Sequence, residues 1–253
     1  MLDQKLMHSI LKIAEEMISA GAEVYRIEES LKYMCSAYGA VRTDAFVTTS
    51  YMTLDIERED GVSLTASRRF ETCSFDVERI ARLNDLVRYI TKVKPSAEEI
   101  DERLKTALIH KQYTIWQRIL FSVIVASSFT VFFGCRDIVE ILASSVIGFI
   151  TAILSCIADR IKLNGMMTRF VCSAAFSAMA FLSVKLGLAP NPDYIIIGNI
   201  MTLIPGCGIT NALRDLFTGD TFTGILRTIE AVLYAGAMAL GYIAMAYLFG
   251  GAI

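Results

Sequence analysis

Residues 198–215 read Gly-Asn-Ile-Met-Thr-Leu-Ile-Pro-Gly-Cys-Gly-Ile-Thr-Asn-Ala-Leu-Arg-Asp. Pro205 removes a backbone donor and crowds the turn before it, while Gly206 and Gly208 accept dihedrals that other residues avoid. A helix through this run should break. Inside a bilayer, a broken helix exposes backbone groups that only protein or a water-filled cavity can satisfy. The positive end of the following half-helix can then receive an anionic group. Asn199, Thr210 and Asn211 offer polar side chains beside the break, and Arg214 and Arg227 offer cations for a carboxylate. A proline kink that only shapes helix packing is the structural alternative, with the asparagines as interhelical hydrogen-bonding groups. Arg214, Asp215 and Asp220 can equally form ion pairs at an interface.

Three carboxylates qualify as proton carriers, because an ionisable group in an apolar segment is costly and usually functional. They are Glu230, Glu140 and Asp215. Arg227 lies three residues before Glu230, so the two share a helix face and can neutralise each other. Lys185 is expected to extend its ammonium to the interface. The six cysteines form no CxxC pair and the histidines are only His8 and His110, so neither a metal site nor a cofactor is implied. The cysteines read as packing residues and the histidines as structural or exposed. No serine, histidine and acid pattern for nucleophilic catalysis accompanies them, so an enzyme is not expected.

These residues need a membrane to make sense, and the charge distribution supplies one. The chain has 253 residues, 54% hydrophobic and 20% charged, with a net charge of −2, which leaves no basic field for nucleic acid. Up to Arg118 there are 17 Lys+Arg and 19 Asp+Glu; the remaining 135 residues hold seven of each. Apolar runs in this second part reach the roughly 20 residues that a helix needs to cross a bilayer. Five spans are expected: Ile119–Cys135, Ile138–Ala158, Phe170–Ala189, a broken one from about Tyr194, and Gly224–Phe249. Trp116 and Tyr113 suit the headgroup boundary before the first. With the N-terminus in the cytoplasm, 22 of 24 basic residues lie inside and only Arg136 and Lys185 outside, which puts Ile253 outside. The start lacks a basic segment followed by an apolar one, so no cleavable signal peptide is expected. Ala231, Ala235 and Ala239, with Ala237 and Gly241, repeat small residues at four-residue intervals, which suits close packing within the chain or against another subunit.

Residues 1–112 read as a small cytoplasmic α+β domain of order ααββαα, and 113–253 as an α-helical transmembrane domain. One apolar stripe, Leu6, Ile10, Ile13, Ala14, Met17 and Ile18, predicts a helix ending near Gly21; Val24, Ile27, Leu31, Met34 and Tyr38 predict a second, closed at Gly39. Alternation from Phe46 to Ile56 predicts one strand, and Asp60-Gly61 a hairpin to Val62, Leu64 and Ala66. A third helix is expected from Phe75 to Val93 with Ser74 as its cap, and a fourth after the capping-box spacing of Ser96 and Glu99. Glu23, Arg26, Glu28, Glu29 and Arg68-Arg69 read as solvated faces or salt bridges within this domain.

Gly21-Ala-Glu-Val-Tyr-Arg-Ile-Glu28, Arg82-Leu-Asn-Asp-Leu86 and, above all, Pro205-Gly-x-x-x-x-Asn-Ala-Leu-Arg-Asp215 with Gly219-Asp220, Gly224, Arg227 and Glu230 resemble the threonine/serine exporter family. The resemblance implies proton-driven export of a small amino acid or of a dicarboxylate such as succinate. In full-length members a second, smaller membrane region follows; other members split the two parts between proteins. This chain resembles the larger subunit of such a pair, so a small membrane partner of the same family, or a homo-oligomer, is expected. The competing readings are a membrane-anchored enzyme with a hydrolase-like N-terminal domain and a non-transporting assembly subunit.

Overall fold

The computed structural model describes residues 3–70, 75–109 and 113–249. Within them the order is α1 (Gln4–Ser19), α2 (Val24–Ala37), β1 (Ala40–Val47), β2 (Tyr51–Arg58), β3 (Ser63–Arg69), α3 (Val77–Val93) and α4 (Ala97–Leu108). Then follow α5 (Ile115–Phe132), α6 (Ile138–Arg160), α7 (Gly165–Lys185), α8 (Asp193–Ile200), α9 (Gly206–Thr218) and α10 (Thr221–Leu248). The chain divides into two compact units, Met1–Lys111 with Gly206–Ile229, and Gln112–Pro205 with Glu230–Ile253.

In the first unit α1 is central. Its expected stripe is buried, and Met7 and Leu11 are buried as well, because α2, α3, α4 and β3 all pack around it. Asp3 caps α1 by accepting from Leu6 N. The single strand expected from Phe46 to Ile56 is two strands. Thr48 N donates to Tyr51 O at 2.8 Å and Tyr51 N donates to Thr48 Oγ1 at 3.1 Å, so the chain reverses there and Val47 pairs with Met52. The order is therefore ααβββαα, an antiparallel sheet β1-β2-β3. The expected alternation holds on β2 itself, where Met52, Leu54 and Ile56 enter the core. The α3 cap is Asp76, which accepts from Arg79 N; Ser74 lies outside the described residues, as do Cys73 and His110. Ser96 caps α4 through Glu99 N.

In the second unit the expected count of spans is corrected. Among the described residues four helices are long and apolar enough to cross a membrane, α5, α6, α7 and α10, and not five. The segment read as span four is α8, of 8 residues, and α9, of 13, separated at residues 201–205. At about 1.5 Å per residue neither helix reaches across a hydrocarbon core of about 30 Å. The chain is thus a multi-pass helical membrane protein. A core of Ile147, Phe176, Ala180, Ile195 and Ile196 joins α6, α7 and α8. Gly198 is where α8 meets α5: a Cβ there would stand 2.0 Å from Thr130 Oγ1 and 2.7 Å from Ala126 O, so only glycine permits this approach.

Candidate functional site

α8 ends before Pro205, and Gly206 opens the new helix α9. α9 and the start of α10 form a tight hairpin within the first unit. Gly219 turns the chain, and a Cβ on Gly224 would meet Leu216 N at 2.9 Å. The side chains this hairpin presents converge on the short α1–α2 connection. Asn211 Nδ2 donates to Gly21 O at 2.9 Å, Arg227 Nη2 donates to Ala22 O at 3.2 Å, and Arg214 forms an ion pair with Glu23. The Val24 N–H faces the Asp215 carboxylate. Four consecutive residues, 21–24, are thereby gripped by the residues that stood out near the break.

At the centre is a buried ion pair. Arg227 Nη1 donates to Asp215 Oδ2 at 2.8 Å, with the Asp215 side chain fully buried and Arg227 12% exposed. The expected pairing of Arg227 with Glu230 is replaced: the guanidinium turns to α9, and Glu230 instead accepts from Tyr234 Oη. Burial pushes the Asp215 carboxyl above the usual carboxylate range; Arg227 opposes this, and Asp220 and Glu23 add like charge. The second oxygen, Oδ1, is buried without a hydrogen-bond partner. Burial also raises Glu28, whose Oε1 accepts from Val47 N at 3.0 Å, and Asp220. A carboxylate held this way exchanges its proton nearer neutrality than a solvated one.

The other predicted residues separate from this group. Pro205 is half-buried and Gly206, Gly208 and Thr210 are exposed in the break and first turn of α9, and Thr210 Oγ1 donates back to Gly206 O at 3.0 Å. Asn199 belongs to a buried polar knot of the second unit: its Nδ2 donates to Ser144 Oγ at 3.1 Å and Ile195 O at 2.9 Å, and Ser144 bonds Thr130 at 2.7 Å. Glu140 is also in the second unit, 3% exposed, accepting from Asn191 N and from Cys135 Sγ, each at 2.9 Å. It ties the α7–α8 connection to the first turn of α6. Glu140→Ala should cost about 1–3 kcal/mol by orphaning the Asn191 N–H, read as a lower Tm of the purified protein, and Glu140→Gln should restore most of it. Native stability in the alanine variant would remove the anchoring role. Among the described residues no group of His, Cys, Asp or Glu could hold a metal ion.

The grip on residues 21–24 escaped sequence reasoning because Asn211 and Gly21 are 190 positions apart. The signal that could have found it was the joint presence of the Gly21–Glu28 and Pro205–Glu230 motifs.

The family model described as "Putative threonine/serine exporter" matches residues 8–250. A Klebsiella aerogenes protein named "Probable succinate transporter subunit YjjP" is 21% identical over 241 residues, 92% of this chain and 90% of that protein. A Mycobacterium tuberculosis "Probable threonine/serine exporter" is 22% identical over 94% of this chain and 45% of its own length. A "Threonine/serine exporter" of Corynebacterium glutamicum is 21% identical over 93% and 50%. The chain thus spans most of the Klebsiella protein and about half of the two exporters. No solved structure matches it. With a match running over almost its whole length, the chain belongs to the threonine/serine exporter family.

Proposed function

We propose that this chain is the larger subunit of a proton-coupled exporter of a small carboxylate-bearing metabolite, threonine and serine or a dicarboxylate such as succinate. The observation that carries the reading is the buried Asp215–Arg227 pair, formed where the broken α8–α9 segment meets the start of a spanning helix. Protonating Asp215 releases Arg227 from its partner and loosens the hold on residues 21–24; that links proton occupancy to the position of α9. The exposed first turn of α9, with Thr210, and the side chains of Asn211, Arg214 and Arg227 become available to a substrate carboxylate when that hold is released. A second membrane subunit of the same family completes the exporter in this reading, which the word "subunit" in the name of the Klebsiella relative supports. Efflux of labelled threonine, serine and succinate from loaded vesicles carrying both subunits, with and without a pH gradient, tests this. Gradient-stimulated efflux of one of them is expected; none from any would leave an assembly role or a hydrolase instead.

Residues 1–112 face the cytoplasm in this reading, since they hold 16 of the 24 basic residues. Arg227, two turns into α10, is bonded to that domain, and the 28 residues of α10 span about 42 Å, enough for one crossing. The chain then returns to the cytoplasmic side between α7 and α10 through the short α8 and residues 201–205, a crossing that is not a spanning helix, so reporters inserted at Ala97 and after Leu248 should give opposite compartments. The same compartment for both would reject the arrangement.

A further inference from the structure

Within the second unit, a cavity of about 150 Å³ lies between α5, α6 and the turn after α8. Arg118 stands at one end, paired with Asp159 at 2.9 Å, both side chains half-exposed. Ser122 is one turn along α5 from Arg118, Ser155 and Cys156 are one turn along α6 from Asp159, and Thr151 is a turn further. Charge therefore occupies one end, and hydroxyls line the rest together with Ala152, Cys156 and Leu203. The hydroxyls are of two kinds. Thr151 donates to Ile147 O at 2.8 Å and Thr202 to Asn199 O at 2.7 Å, so both offer the cavity lone pairs only. Ser122 and Ser155 make no hydrogen bond among the described residues, so their O–H donors are free.

We propose that this cavity is a ligand site that holds one carboxylate on Arg118, Ser122 and Ser155 and a hydrogen-bond donor, such as an ammonium, on Thr151 and Thr202. A guanidinium matches a carboxylate through two parallel N–H···O bonds. An exposed ion pair is worth only about 0–1 kcal/mol, so a ligand carboxylate readily takes Arg118 from Asp159. A second carboxylate would face oxygen lone pairs at the far end with no second cation in the lining, so a zwitterion is favoured over a dicarboxylate. The site rests on the transport reading for its substrate, and its test reads binding rather than flux.

Cys156 lines this cavity, whereas Cys207 is exposed in the other unit. The purified whole chain is treated with N-ethylmaleimide alone, with threonine or with succinate, and alkylation of both cysteines is followed by peptide mass spectrometry. At about four times Kd, a ligand leaves about one-fifth of sites free, so threonine should slow Cys156 about fivefold and succinate should slow it less, while any protection of Cys207, in the first turn of α9, reports binding there and not in this cavity. Arg118→Gln should abolish the protection. Asp159→Asn breaks the same ion pair but keeps the guanidinium, and should retain it. Protection that survives Arg118→Gln, disappears equally in Asp159→Asn, or comes from succinate and not threonine overturns the proposal. Absent protection in a chain that still exports overturns the site and leaves the transport reading standing; protection without export does the reverse.

Discussion

Replacing Arg227 with leucine should destabilise the protein by about 3–5 kcal/mol, because it leaves the Asp215 carboxylate buried with no countercharge. For a domain of this size that corresponds to a fall in Tm of about 6–20 °C. The loss should depend on pH with a definite sign. Asp215 in the unfolded chain has the ordinary carboxylate value, whereas burial raises it in the folded one, and without Arg227 it rises further. The folded state then binds more protons, so the variant gains stability as pH falls through the folded value and levels off below the unfolded one. Thermal unfolding in detergent between pH 4 and 8 measures this. The double variant Asp215→Leu, Arg227→Leu should recover most of the loss at neutral pH, since replacing a whole buried pair by apolar side chains is often neutral. An Arg227→Leu variant as stable as the native chain at pH 8 would show that the pair is not desolvated in the working protein.

Much of the architecture was legible because it rests on local chemistry. The apolar stripe of α1 and the Ser96 cap are set within a few residues, and Pro205 with Gly206 separates α8 from α9 where the backbone rules demand. The turn between β1 and β2 was missed because no glycine, proline or asparagine marks it; Thr48 makes it through its own hydroxyl and amide. The fourth span was overcounted because hydropathy does not see a break, and the two halves add up to a length that neither has. Partner choice was the least legible part. Arg227 and Glu230 share a helix face by spacing, yet a guanidinium on a long side chain goes to the buried acid that needs it, and Asp215 is 12 residues away.

That change of partner alters which carboxylate should carry the coupling proton. Glu230 is exposed and bonded to Tyr234, and Glu140 anchors a loop amide; only Asp215 is both buried and paired with a cation whose hold its protonation would release. With one proton coupled per substrate, a pH difference of one unit supplies about 1.4 kcal/mol, a factor of about ten in steady-state accumulation. In vesicles containing the chain and its partner, the native protein should show that factor. Asp215→Asn should show none, because asparagine keeps an oxygen for the Arg227 N–H but cannot titrate. Exchange of labelled for unlabelled substrate without a gradient should continue in the same variant, which separates lost coupling from lost folding. Glu230→Gln and Glu140→Gln should keep most of the gradient response. Gradient-driven accumulation that persists in Asp215→Asn, or vanishes in Glu230→Gln while exchange continues, would move the coupling site off the grip on residues 21–24 and onto the spanning helices.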